Sequence, residues 1–171
     1  TITGTNNKEY QADFFGILHN YIAENPIGVV CDFNGSSRYQ SIDRDFFKEN
    51  NINFYTINEF EISHEIIPEA ENLCYVQQEM ERLQKEGFKD AVLGYMPDCD
   101  GDRGNIVYWD ENQQKSIILK AQEVFSLSVL AELTYSIWQN SNSSNQTETS
   151  FKPAVAVNCP TSMRINESVE T

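Results

Sequence analysis

Positive charge is what this chain most lacks. Against 26 Asp and Glu it sets only 12 Lys and Arg, for a net charge of -14 over 171 residues. A surface of that sign repels a nucleic-acid backbone, whose capture depends on Lys and Arg. Long apolar runs are missing too: none approaches the roughly 20 residues that cross a bilayer, and no signal-peptide pattern is visible. The expectation is a cytoplasmic protein with no nucleic-acid or membrane partner. The four cysteines, Cys31, Cys74, Cys99 and Cys159, have neither CxxC nor other zinc spacing, so free thiols are expected rather than a disulfide framework. The sequons at Asn34, Asn142, Asn145 and Asn166 then carry no glycan. There are two histidines, His19 in a helical stretch and His64 in an irregular one. Both read as structural or surface residues, and no GxSxG or Cys/His pairing with recognisable context exists.

What is present is an alternation of helix and strand. Phe14, Leu18, Tyr21 and Ile22 have the spacing of an amphipathic helix over Lys8–Glu24, ended by Asn25-Pro26. Ile27–Phe33 reads as a buried strand with Asp32 near its exit and a turn at Asn34-Gly35-Ser36. A helix over Ile42–Glu49 and a strand over Ile52–Ile57 follow. The stripe Leu73, Val76, Met80, Leu83 predicts a third helix, stopped at Gly87, and Ala91–Tyr95 a further buried strand. Asn105–Trp109 and Ser116–Leu119 then form an antiparallel pair around Asp110–Gln114. The sum is an α/β layered domain with a mixed, mostly parallel sheet flanked by helices. Trp109 and Trp138 read as core or interface residues.

A long helix is expected from about Ala121 to Gln139. A flexible Ser/Asn/Thr linker follows over Asn140–Ser150, and then an apolar strand over Ala154–Val157 leading to Pro160-Thr161-Ser162. This last stretch looks like an incomplete second α/β unit. Three parts result: a linker helix over 1–26, an α/β domain over 27–120, and a helix, linker and next-domain start over 121–171. The chain begins without Met and stops just after Asn166-Glu167-Ser168, so it is expected to be a piece of a longer protein.

The sharpest chemical signal is Asp98-Cys99-Asp100-Gly101-Asp102-Arg103, directly after Ala91–Met96. Alternate residues of an extended segment point one way. Asp98, Asp100 and Asp102 therefore share a side, and Gly101 lets the backbone curl them around one point. Carboxylates about 6 Å apart repel by roughly 3 kcal/mol at an effective dielectric near 20, so the loop calls for a cation. All-oxygen ligation favours Mg²⁺ or Ca²⁺ over zinc. Arg103 adds a fork suited to a phosphate oxygen beside the metal. An EF-hand does not fit, because Arg103 and Trp109 stand where Gly and Glu are required. A dehalogenase-type phosphatase, with Asp98 as phosphoryl acceptor, fits less well: its motif comes from a domain's first strand and has Thr or Val after the Gly. A Ca²⁺-binding interaction domain is the non-enzymatic alternative. Ser36 and Ser37 read equally as an anion-cradling turn or as residues capping their own turn. The acidic neighbours of Cys99 disfavour a nucleophilic thiolate.

With those residues in place, Pro97–Arg103 followed by Asn105–Trp109 resembles the metal loop of the α-D-phosphohexomutases, the phosphoglucomutases and phosphomannomutases. Val29–Gly35, and Pro68–Leu73 ahead of a helix, match in order. Ile27 to about Leu119 is thus similar to that family's second domain, and Ala154–Arg164 resembles the start of its third. The resemblance implies an intramolecular phosphotransferase of the isomerase class, interconverting hexose 1-phosphate and hexose 6-phosphate through a phosphoserine. It implies Mg²⁺ on Asp98, Asp100 and Asp102, with the phosphoserine oxygen as a further ligand, and Arg103 on the phosphoryl group. The chain has no Thr-x-Ser-His-Asn-Pro serine loop, no sugar-recognition loop and no phosphate-clamping fourth domain. The fragment alone is therefore expected to be inactive.

Overall fold

The computed structural model describes residues 8–142 and 154–155. The chain divides after Leu119 into two compact units. The first unit contains α1 (Lys8–Glu24), β1 (Gly28–Asp32), a 3-10 turn (Ser37–Gln40), α2 (Asp43–Glu49), β2 (Asn53–Ile57), α3 (Ala70–Glu86), β3 (Ala91–Pro97), β4 (Gly104–Asp110) and β5 (Lys115–Ile118). The second contains α4 (Ala121–Asn142), which runs past the expected Gln139 into the Ser/Asn-rich stretch. The rest of that stretch, and the expected strand beyond Val155, lie outside the described residues. No helix among the described residues is long and apolar enough to cross a membrane.

Five strands form one mixed sheet in the order β2-β1-β3-β4-β5. β2, β1 and β3 are parallel, while β3–β4 and β4–β5 are antiparallel. This is the α/β layer architecture expected from the alternation. Period-two alternation assigns the two faces. Val30, Met96 and Val107 pack with Leu73, Val76, Met80 and Leu83 of α3, which is why that stripe is apolar at helical spacing. Gly94 lies on this face because α3 approaches closely: a Cβ there would run into Val76 and Met80. On the opposite face Phe47 of α2 stacks against Phe54 and Tyr95, with ring centroids 4.6 and 6.4 Å apart. Both faces of β1 are thereby covered, and all five of its residues are buried. That explains its continuous apolar run. α1 is tied to this unit by its buried Ile22 and by a 3.0 Å bond between His19 and Asn50. Trp109 packs against the α3 core, while Trp138 of α4 is 45% exposed.

Because β1, β2 and β3 are parallel, their carboxyl ends, Asp32, Ile57 and Pro97, share one sheet edge. The chain leaves β1 toward β2 on one side and leaves β3 toward β4 on the other. The exits therefore diverge between β1 and β3, the kind of switch point near which α/β sheets collect ligands at their carboxyl edge. The acidic loop and the β1 exit flank that point.

Candidate metal centre

The loop after β3 is shaped by Asp98. Its amide donates to Arg103 O at 3.0 Å and its carbonyl accepts from Gly101 N at 3.2 Å, closing a tight turn. Its side chain reinforces the turn, with Oδ1 accepting from the amides of Gly101 and Arg103, both at 3.1 Å. Gly101 sits at φ +79°, and a Cβ there would collide with the aliphatic part of Arg38. Glycine is required at this position twice over.

This turn brings the three expected ligands together: one carboxylate oxygen each from Asp98, Asp100 and Asp102 can be chosen so that all lie within 4.8 Å of one another. Opposite ligands of Mg²⁺ stand about 4.2 Å apart and those of Ca²⁺ about 5 Å, so the trio is of a size that could hold one cation. Asp98 is buried, whereas Asp100 and Asp102 are exposed. The trio thus has one buried carboxylate as its floor and two open to solvent.

Arg103 is anchored on the acidic loop itself. Its Nε donates to Asp98 Oδ2 at 2.7 Å and lies 3.7 Å from Asp102. The guanidinium thus supplies part of the positive charge that the repelling carboxylates demand. Burial penalises the charged form of Asp98, but the Arg103 amide and guanidinium, with the Gly101 amide, outweigh it and hold the carboxyl below its ordinary value. Asp102 moves the other way, raised first by the charge of Asp100 and then by partial desolvation and Asp98. The Arg103 side chain is 69% exposed, and among the described residues no hydrogen bond engages its two terminal nitrogens.

The β1 exit is fully committed to internal bonds. The amides of Gly35, Ser36, Ser37, Arg38 and Tyr39 donate in turn to Asn58 O, Phe33 O, Cys99 O, Ser36 Oγ and Ser36 O. None of these five remains for an anion; Ser36 caps its own turn by accepting from Arg38 N, while the Ser37 amide reaches the acidic loop. Asp32 is wholly buried, accepting from Asn58 at 3.1 Å and pairing with His64 Nε2 at 2.7 Å. The His64 ring stacks on Tyr75 at 4.0 Å, and its Nδ1 lies 3.0 Å from Glu65 O. With both nitrogens engaged and the ring buried, His64 is a structural clamp. No local pattern in the sequence links Asp32 to a histidine 32 residues away; only the shared sheet edge does.

A third group lies behind the loop. Arg38 clamps Asp43 through Nε and a terminal nitrogen, and Tyr95 donates to the same carboxylate at 3.2 Å. Burial pushes up the Cys31 thiol and the neighbouring Tyr95 hydroxyl, keeping both protonated. Cys99 is exposed and Cys74 half-buried; with Cys31 they are free thiols. Comparison with protein-family models, with curated proteins and with solved structures yields no match to this chain.

Proposed function

We propose that this chain is the Mg²⁺-binding portion of an α-D-phosphohexomutase, a cytoplasmic enzyme that moves phosphate between C1 and C6 of a hexose through a phosphoserine. The observation that carries the reading is the cluster of Asp98, Asp100 and Asp102 oxygens on the exit of β3, at the carboxyl edge of the parallel strands. The resemblance of Pro97–Arg103 to the family's metal loop supplies the activity.

In this reading Asp98, Asp100 and Asp102 would hold the ion, with a phosphoserine oxygen as a further ligand. When bound, the ion supplies Lewis acidity at the phosphoserine. The chain's own residues do the rest. Asp98 fixes the loop from a buried position. Asp100 and Asp102 close on the ion from the exposed side. Arg103, anchored through Nε, turns its terminal nitrogens to the transferring phosphoryl group. Phosphoryl transfer depends mainly on such positioning and charge neutralisation.

The phosphatase alternative requires an accessible Asp98 oxygen. Asp98 is only 2% exposed and accepts three hydrogen bonds across its two oxygens, which argues for a scaffold of the loop rather than a nucleophile. The decisive test is made on the full-length protein that carries this segment. Interconversion of hexose 1-phosphate and 6-phosphate should require Mg²⁺ and fall at least a hundredfold in Asp100→Asn and Asp102→Asn. Metal-independent turnover would sink the proposal. Phosphate release by the segment alone, abolished in Asp98→Asn, would install the phosphatase reading instead.

A further inference from the structure

The acidic loop does not hold its place by its own bonds alone. Ser36 Oγ donates to Asp98 O at 2.5 Å, in a bond buried from solvent, and Ser37 N donates to Cys99 O at 2.9 Å. Arg38, next in the chain, packs its aliphatic stem against Gly101. Three successive residues of the β1 exit therefore meet three of the four residues Asp98–Gly101.

That exit is itself immobilised from the far side. Asn34 is buried at φ +41° and uses its whole amide: Oδ1 accepts from the amides of Ser63 and His64, and Nδ2 donates to the carbonyls of His64 and Glu65. Gly35 N donates to Asn58 O. Asp32, two residues before Asn34, holds Asn58 and His64. The segment from Asp32 to Arg38 is thus bolted to residues 58–65 on one side and to the acidic loop on the other.

We infer that Ser36 and Ser37 are positioning residues for the acidic loop: a latch on the β1 exit that fixes the Asp98–Gly101 backbone and so sets the separation of the three carboxylates. As regards metal binding, this rests on the function proposed above. The hydroxyl of Ser36 is suited to the task because it bridges, donating to Asp98 O while accepting from Arg38 N at 3.3 Å. It holds its own turn and the loop with one atom.

The test uses the full chain and two variants. Ser36→Ala deletes the hydroxyl. Ser37→Pro removes the amide hydrogen together with an exposed side-chain hydroxyl, at the first position of the 3-10 turn, where proline is tolerated. Ser36 precedes it at φ -60°, ψ 145°, the extended conformation that proline imposes on its predecessor. Amide resonances of Gly101 and Arg103, the donors to Asp98 Oδ1, read loop shape without metal. The EPR signal of Mn²⁺ alone reads the site. Both variants should shift the two resonances and weaken Mn²⁺ binding at least fivefold, while melting temperature falls by only a few degrees. Ser36→Thr, which retains the hydroxyl, should restore both readouts. Unmoved Gly101 and Arg103 resonances in both variants would overturn the latch, whatever the metal does. Shifted resonances in a chain that binds no Mn²⁺ even unaltered would uphold the latch and remove the metal reading of the loop.

Discussion

Arg103 holds the Asp98 carboxylate at both oxygens, its amide donating to Oδ1 at 3.1 Å and its Nε to Oδ2 at 2.7 Å. The residue after the last aspartate thereby returns to offset the charge of the first. The same contact uses one nitrogen of the guanidinium fork and leaves the exposed end available.

This internal neutralisation sets the expected metal affinity. A cation entering the loop gains only the charge that Arg103 has not already compensated, and Asp98 brings an oxygen that shares its lone pairs with N–H donors. Calorimetry on the chain alone should give a Mg²⁺ dissociation constant on the order of 0.1–1 mM, like other sites of few and exposed ligands. A submicromolar value would mean a self-sufficient site that needs no phosphoserine oxygen.

Asp98 should also show itself in stability. Asp98→Asn turns an NH₂ group toward N–H donors in a buried place, and leaving such groups unsatisfied costs about 2–3 kcal/mol. The pH dependence has a definite sign. The folded-state pKa of Asp98 lies below its ordinary value of about 3.9. Its contribution is therefore complete above the unfolded value and is lost as pH falls through the folded one. Urea unfolding at pH 7, 4 and 3 should give the Asn variant lower stability at neutral pH and a shallower acid decline. Some decline persists, since Glu59 and Asp110 are also held below their ordinary values. Parallel acid limbs in the two proteins would remove Asp98 from this role.

How the sequence led to the fold is seen best on β1 and α3. Five buried residues in a row and a stripe at helical spacing are local patterns with one packing solution each, and Gly94 marks where the two elements touch. The carboxylate trio was equally legible, because three carboxylates within five residues need only a turn to meet. The latch and the clamp were not. Ser36 finds Asp98 from 62 residues away, and Asp32 finds His64 across a 32-residue interval. Their encounters depend on strand order, which periodicity does not encode. Arg103 illustrates a third case: its chemistry was clear, but which carboxylate it would grip depended on the curl of the turn.

The buried pair of Asp32 and His64 can be tested by a double-mutant cycle. His64→Phe keeps a ring against Tyr75 but strips Asp32, wholly buried, of its partner. Breaking one side of a buried pair costs about 3 kcal/mol or more. Adding Asp32→Asn removes the stranded charge while keeping an acceptor for Asn58, so the double variant should recover about half of the loss. Strictly additive single-variant costs in urea melts would show that the two residues do not act together.

Gly101→Ala combines two faults, a positive φ and a collision with Arg38. A non-glycine residue in a sparsely populated backbone region costs about 1–3 kcal/mol. Arg38→Ala should relieve the steric part but not the backbone part, so partial rescue in the double variant is the expected result. Full rescue would mean that Arg38 alone dictates glycine here.

The sharpest prediction concerns Arg103→Lys in the intact enzyme. Lysine can hold Asp98 through its ammonium, so folding and metal affinity should change little: the backbone amide at position 103 still donates to Oδ1. What lysine cannot do is grip Asp98 and a phosphoryl group at once with separate nitrogens, because it is a compact point charge where arginine is a planar fork. Losing transition-state charge stabilisation of this kind costs about 3 kcal/mol, on the order of a hundredfold in turnover. Arg103→Ala should be as slow and also less stable, since Asp98 then lacks its counter-charge. Turnover, Mg²⁺ dependence and melting temperature measured together separate the two roles. Near-normal turnover in Arg103→Lys would confine the residue to balancing Asp98, and the phosphoryl group would have to find its positive charge elsewhere.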